Sequence, residues 1–172
     1  MPEVSSVAEP AYRLEWLDST HTGSVQELIA LEKKTFVKAD SWADVLPLEV
    51  KKRNVQVVLA REQSTDKVVG YVLCIVSGLN THIGKLAVSA EHRRQGIGRM
   101  LMQAVLQGTV PPSAARKSPA RRPSYSSLFV AVTNTVAADL YSSLGYKQEA
   151  YLEHYYQPGS HARRLVLDVQ AQ

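Results

Sequence analysis

A chain of 172 residues, 45% hydrophobic and 21% charged, suits one ordinary domain with a sizeable core. Its single cysteine, Cys74, excludes an internal disulfide and a cysteine zinc site, and nothing else suggests a metal. The net charge of +4 equals the cations of one acid-free stretch, Arg116, Lys117, Arg121 and Arg122, so the rest of the chain sums to about zero and offers no broad nucleic-acid face.

Residues 1–11 are polar and read as a flexible tail, with neither the apolar core of a signal peptide nor an arginine-rich transit pattern. No apolar run reaches the roughly 18 residues of a membrane span. A cytoplasmic protein is expected, with a nuclear presence left open and no membrane partner. The alternating "YRLEWL" from Tyr12 predicts a first strand. "STHTGSVQELIALEKKTF" opens with N-cap candidates and predicts a helix, with Glu32 as a polar break in its apolar spacing. "LPLEVKKR" predicts a short second helix with Pro47 in its first turn. "NVQVVLAREQ" and "KVVGYVLCIVSG", joined by "STDK", predict a hairpin, with Cys74 as a buried core thiol. "HIGKLAVS" predicts a further strand, and "GIGRMLMQAVLQG" a helix closed by Gly108. Residues 109–126, rich in Pro, Ser, Ala and Arg, predict a basic flexible insert, open to docking or to phosphorylation at Ser118 or Ser124. A strand at "SLFVAVT", a helix at "TVAADLYSSLG" and two strands around "QPGS" complete a mixed α/β chain.

The turn "RRQGIG" stands directly before a helix, where free N–H groups and the positive end of the helix dipole favour an anion. Gly96 and Gly98 let a phosphate approach the backbone, and Arg93 and Arg94 add forked donors. A diphosphate fits such a turn. The pattern is neither a Walker loop nor a dinucleotide fingerprint.

The longer stretch "KLAVSAEHRRQGIGRMLMQAVL" resembles the acetyl-CoA-binding core of the GNAT superfamily of N-acetyltransferases, with Arg93-x-x-Gly96-x-Gly98 matching its signature. "NTVAADLYSSLGY" is similar to the second signature of that family at Asn134, Ala137, Tyr141, Gly145 and Tyr146. The resemblance covers residues 12–170 as a single domain. It implies a mixed sheet of about seven strands flanked by about four helices, with acetyl-CoA in the splay between the fourth and fifth strands. It implies that the backbone of Arg93, Arg94, Gln95, Gly96, Ile97, Gly98 and Arg99 holds the pyrophosphate. The strand at Leu86, Ala87 and Val88 would hold the pantetheine arm, with Asn134 beside it. Tyr141 matches the family's general acid, also in contact with the cofactor.

A base is harder to name. By period two, His82, Gly84, Leu86 and Val88 share one strand face. The spacing of His82 resembles that of a base histidine in arylalkylamine acetyltransferases. The other position where members of the family carry a base falls near Phe129 or Ala131, neither of which can serve. For the acceptor, "HYYQPGSHA" resembles the last hairpin of Nα-terminal and ribosomal-protein acetyltransferases, with Tyr155 and Tyr156 as substrate-holding residues and His161 in place of the usual Asp. Phe36 and Trp42 are expected as exposed aromatics on the facing wall. An α-amine titrates near 7.7–8 and a lysine near 10.4, so a weakly defined base suits an N-terminus. A small amine, a protein lysine and a non-catalytic acetyl-CoA-binding adaptor remain open. The basic insert is the candidate contact for a ribosome or protein partner.

Overall fold

The computed structural model describes residues 9–111 and 121–172. In chain order the elements are β1 (Tyr12–Trp16), α1 (Thr22–Thr35), α2 (Leu46–Glu49), β2 (Val55–Glu62), β3 (Val68–Ser77), β4 (Asn80–Val88), α3 (Ile97–Gln107), β5 (Tyr125–Ala131), α4 (Thr135–Ser143), β6 (Lys147–Gln157) and β7 (Ser160–Asp168). This is the order the sequence predicts, with one added turn of 3-10 helix at Ala90–His92. The strands form one mixed sheet in the order β1-β2-β3-β4-β5-β7-β6, in which β4 and β5 run parallel and the other neighbours antiparallel.

Helices cover both faces of the sheet, which is why β2 and β3 read as nearly continuous apolar runs. On one face Val58, Val72, Ile83 and Leu128 pack with Ile97, Leu101 and Met102 of α3. On the other, Val57, Leu59, Tyr71 and Leu73 pack with Leu28 and Leu31 of α1 and Leu46 of α2. Each fully buried leucine of these layers contributes about 1.5–3 kcal/mol of transfer free energy. Cys74 is buried as expected.

Two local features differ from expectation. His21 caps α1, its Nδ1 accepting the N–H of Ser24 at 3.2 Å. Strand β5 begins at Tyr125, inside the stretch read as a flexible insert. The described flanks of that stretch are also held: Val110 is buried, and Arg122 donates to the Val169 carbonyl at 2.8 Å. Arg116, Lys117 and Ser118 lie outside the described residues, as does most of the 1–11 tail.

Candidate active site

The site begins with a change of register. Leu73 pairs with Lys85 but Cys74 pairs with Ile83, so Gly84 is the extra residue of a β-bulge on β4. A Cβ there would sit 3.1 Å from Leu73 Cδ2 and 3.4 Å from the Trp42 ring, which favours glycine. The bulge breaks the strict alternation expected for this strand. Ile83, Leu86 and Val88 pack on the α3 face. His82 lies on the opposite face, against Phe129, and Lys85 and Ala87 lie on that face too. His82 therefore does not share a face with Leu86 and Val88, because period two holds only along an unbulged strand.

The same point is where the sheet opens. The parallel ladder between β4 and β5 runs from Asn80–Tyr125 to Ile83–Leu128 and stops, although β4 continues to Val88 and β5 to Ala131. Beyond it β5 keeps β7 as a neighbour and β4 keeps β3. The Ser89 N–H bonds the Val69 carbonyl at 2.8 Å, on the β3 side. By alternation the amide of Ala87 also faces β3, and those of Leu86 and Val88 face the gap. The Val88 carbonyl accepts Arg93 Nε at 3.3 Å. An extended ligand can thus add to this edge through Leu86 and Val88. Ala87, expected beside them, turns both its amide and its buried methyl away.

The arginine–glycine turn closes one end of the gap. Arg94 (φ 60°) and Gly96 (φ 80°) have left-handed backbone, and Gly96 caps α3 with no side-chain hydrogen bond. The first-turn N–H groups of Ile97, Gly98 and Arg99 are then free for an anion. Nothing lies within 4 Å of where a Gly96 Cβ would stand, so the space over the turn is open. A Cβ on Gly98 would lie 3.5 Å from Leu140 and 3.8 Å from both Leu86 and Val88, so the turn, the β4 edge and α4 converge there. The residues present fit a diphosphate joined to an extended arm. Three side chains of the turn do other work: Ile97 fills the core, Gln95 accepts from the Tyr12 hydroxyl, and Arg99 donates to Ser143.

From α4, Asn134 accepts the Ala137 N–H at 3.2 Å as the helix N-cap. Tyr141 is 7% exposed and edge-on to Tyr146 at 5.8 Å. Burial, with a smaller effect of the Tyr156 phenol, pushes its pKa up to about 12. His82 is half-buried, and its pKa is lowered, first by burial and then by Arg164. Its Nδ1 lies 2.9 Å from Ser127 Oγ.

A row of rings leads from the gap to the surface. Phe129 lies 5.4 Å from His82 and stacks on Tyr155 at 4.7 Å, and Tyr155 meets Tyr156 edge-on at 5.0 Å. Tyr155 and Tyr156 are 46% and 51% exposed. They stand on a wide bulge of β6, between the Leu152–Ala162 and Gln157–Ser160 pairs. Two histidines brace this bulge. His154 (φ 52°) donates its N–H to Nδ1 of His161 at 3.0 Å, and its own Nδ1 accepts the Gly159 N–H at 2.8 Å. His154 gave no warning in the sequence, and His161 only by departing from the usual Asp. Phe36 and Trp42, expected as exposed, are half-buried against the second core layer, because Lys85 and Glu32 draw their loop inward.

Residues 53–148, more than half of the chain, match the family model described as "Acetyltransferase (GNAT) domain". The chain belongs to the GNAT acetyltransferase family. Members of the family use acetyl-CoA. An N-alpha-acetyltransferase of Sulfurisphaera tokodaii is 35% identical over 81 residues, which are 47% of this chain and 44% of that protein. The chain thus spans less than half the length of this curated relative. The ribosomal-protein-S18-alanine N-acetyltransferase of Escherichia coli superposes with a TM-score of 0.72 at 18% identity, over 92% of this chain and 94% of that one. A spermidine N-acetyltransferase SpeG chimera from Vibrio cholerae and hSSAT superposes with a TM-score of 0.73 at 16% identity, over 94% and 98%. At these identities the two structures speak for the fold, and they differ in acceptor.

Proposed function

We propose that this GNAT-family chain is an N-acetyltransferase that acts on the α-amine of a protein or peptide N-terminus, by direct attack in a ternary complex. The observation that carries the reading is the open aromatic approach from His82 to the half-exposed Tyr155 and Tyr156. Its outer end is exposed to solvent at Tyr155 and Tyr156, near Asp40 of the Phe36–Trp42 loop, which suits an acceptor whose chain continues past the amine. The identity to the archaeal N-alpha-acetyltransferase supports the same acceptor.

Bound acetyl-CoA supplies a thioester for the amine to attack. In this reading the turn from Arg93 to Arg99 holds the diphosphate through backbone N–H groups, and the Leu86 and Val88 amides hold the arm. The Val88 N–H, aimed into the gap, is the donor for the carbonyl oxygen as it gains charge. Asn134 keeps its amide nitrogen for the arm while Oδ1 caps α4. Tyr141, protonated across the working range, donates its hydroxyl hydrogen toward the leaving sulfur. A phenol near 12 facing a thiol near 8.5 favours a strong hydrogen bond over complete transfer.

His82, kept neutral by its lowered pKa, takes the amine proton directly or through water. That requires the tautomer in which Nδ1–H donates to Ser127 Oγ and Nε2 holds the lone pair. Tyr155 and Tyr156 hold the first residues of the acceptor against Phe36. A cytoplasmic location fits this substrate.

The test compares two peptides with an identical interior lysine, one with a free and one with a blocked N-terminus. Acetylation of only the free terminus, located by mass spectrometry, is expected. Lysine modification in both overturns the reading, and silence on both with turnover of spermidine replaces it with a small-amine acceptor.

A further inference from the structure

Lys85 follows the Gly84 bulge directly, and its ammonium lies beneath the loop after α1 rather than in water, with the side chain 13% exposed. Nζ donates to the Asp40 carbonyl at 2.7 Å, sits 3.7 Å from the centroid of the Phe36 ring and 5.7 Å from that of Trp42, and lies 3.9 Å from Glu32 Oε2. The Glu32 carboxylate, fully buried, accepts the Trp42 N–H at 2.7 Å and the Ser41 hydroxyl at 3.3 Å on Oε2, and the Tyr71 hydroxyl on Oε1. The loop is thus tied twice. An anion on α1 holds Ser41 and Trp42, and a cation on β4 holds Asp40 and the ring face of Phe36.

These two ties are not equivalent. Glu32 already has three hydrogen-bond donors, so the fold does not need Lys85 to satisfy it. Most of the Lys85 contacts go to the loop itself, and they reach it from the strand that borders the gap. The Asp40 charge is near enough to add to the rise in the Tyr156 pKa, after burial and Tyr155, so the loop and the tyrosine hairpin are neighbours. Where Asp40 is held therefore bears on how the loop stands toward Tyr156. An ammonium in this place loses hydration and recovers it only through a carbonyl, a ring face and a carboxylate, all of which belong to the wall or its support.

Building on the N-terminal reading above, we propose that Lys85 is a positioning residue that fastens the Phe36–Trp42 loop to the catalytic strand and thereby sets the affinity for the acceptor. Burial lowers its pKa while Glu32 and Asp40 oppose that change, in keeping with a cation retained for its contacts. The Lys85 side chain leaves β4 on the face away from Leu86 and Val88, and none of the contacts given above is to the arginine–glycine turn, so cofactor binding is separable from it.

The test uses Lys85→Met, which keeps the length of the side chain and removes the charge, and Lys85→Arg, which keeps the charge and the ring contact. For Lys85→Met the KM of an N-terminal peptide rises about tenfold, the loss of one charge-assisted hydrogen bond. Its kcat stays within about twofold and calorimetric affinity for acetyl-CoA is unchanged, the pattern of lost uniform binding. Lys85→Arg recovers most of the KM. Hydrogen exchange on the unliganded protein gives a readout that needs no acceptor: the amides of Asp40, Ser41 and Trp42 exchange faster in Lys85→Met while those of β2 and β3 do not. Unchanged exchange in the loop overturns the proposal, as does a fall in kcat at constant KM or a parallel loss of acetyl-CoA affinity. Should the wild type acetylate no N-terminal peptide, the substrate reading fails by itself, and with it the claim on acceptor affinity, while the exchange arm still judges the tether.

Discussion

The imidazole of His82 lies 5.4 Å from the ring of Phe129, at the rungs where β4 and β5 last pair before they part. The ring shields one side of the imidazole from water, and Ser127 Oγ sits 2.9 Å from its Nδ1. Burial and then Arg164 lower its pKa, so the neutral imidazole proposed as the base predominates at neutral pH. His82→Gln should lower kcat/KM by about a hundredfold, the usual scale of a lost general base. Because the pKa is lowered, the His82 limb of the wild-type profile lies on the acid side of the ordinary imidazole value: rate rises with pH through it and climbs again as the acceptor amine loses its proton. His82→Gln should lack that limb and keep only the rise from the acceptor amine. A profile of kcat/KM against pH that keeps the same acid limb in the variant removes His82 from the mechanism.

Tyr141 has the opposite sign. Its pKa is pushed up to about 12, chiefly by burial, so its proton is present throughout the assay range. No alkaline loss of rate below about pH 10 should come from this group. Tyr141→Phe keeps the ring packing and should reduce kcat by about a hundredfold with acetyl-CoA affinity nearly intact. An unchanged kcat would make Tyr141 a core residue and nothing more.

Gly96 holds φ at 80°, which proline cannot adopt. Gly96→Pro should rebuild the turn at the start of α3 and turn the first free N–H groups away from the anion. Calorimetry is expected to show acetyl-CoA affinity down more than about a hundredfold. The thermal midpoint should fall by only a few degrees, on the order of a 1 kcal/mol loss. Full affinity in a folded variant would rule out the turn as the diphosphate cradle.

Away from the site, Arg61 forms a forked pair with Glu27 at 2.9 and 3.0 Å, reaches Glu15, and donates to the Asp66 carbonyl at 2.8 Å. It is the buried partner, while the Glu15 and Glu27 side chains stay 32% and 40% exposed. Arg61→Ala should therefore cost about 2 kcal/mol, below the range for a wholly buried pair. Urea unfolding measures this directly, and a loss under about 0.5 kcal/mol would mean the network contributes as little as a surface pair.

The order of the elements was legible because each signal was local. Alternation marked the strands, Gly108 ended α3, and Pro47 opened α2. The turn proposed to hold the diphosphate was legible as a turn for the same reason, since its glycines, arginines and helix start are consecutive. The packing of the loop after α1 was harder. Glu32 showed only as a polar break in an apolar helix face, and its partners Tyr71 and Trp42 are remote in sequence or lie in a loop. The bulge at Gly84 left no pattern in a single strand, because a bulge is a property of two strands in register. It reversed the face on which His82 was expected.

By itself the sequence determined the family, the element order and the glycine turn at the start of α3, since these follow from motifs, periodicity, caps and consecutive residues. The tertiary structure alone decided three things: which face of β4 presents His82, where β4 and β5 part, and that Phe36 and Trp42 are drawn inward under Lys85. Each depends on a neighbour brought close by folding, either a register between strands or a charge whose partners belong to another element. Such pairings cost chain entropy and are repaid only once the whole sheet and both helix layers are in place.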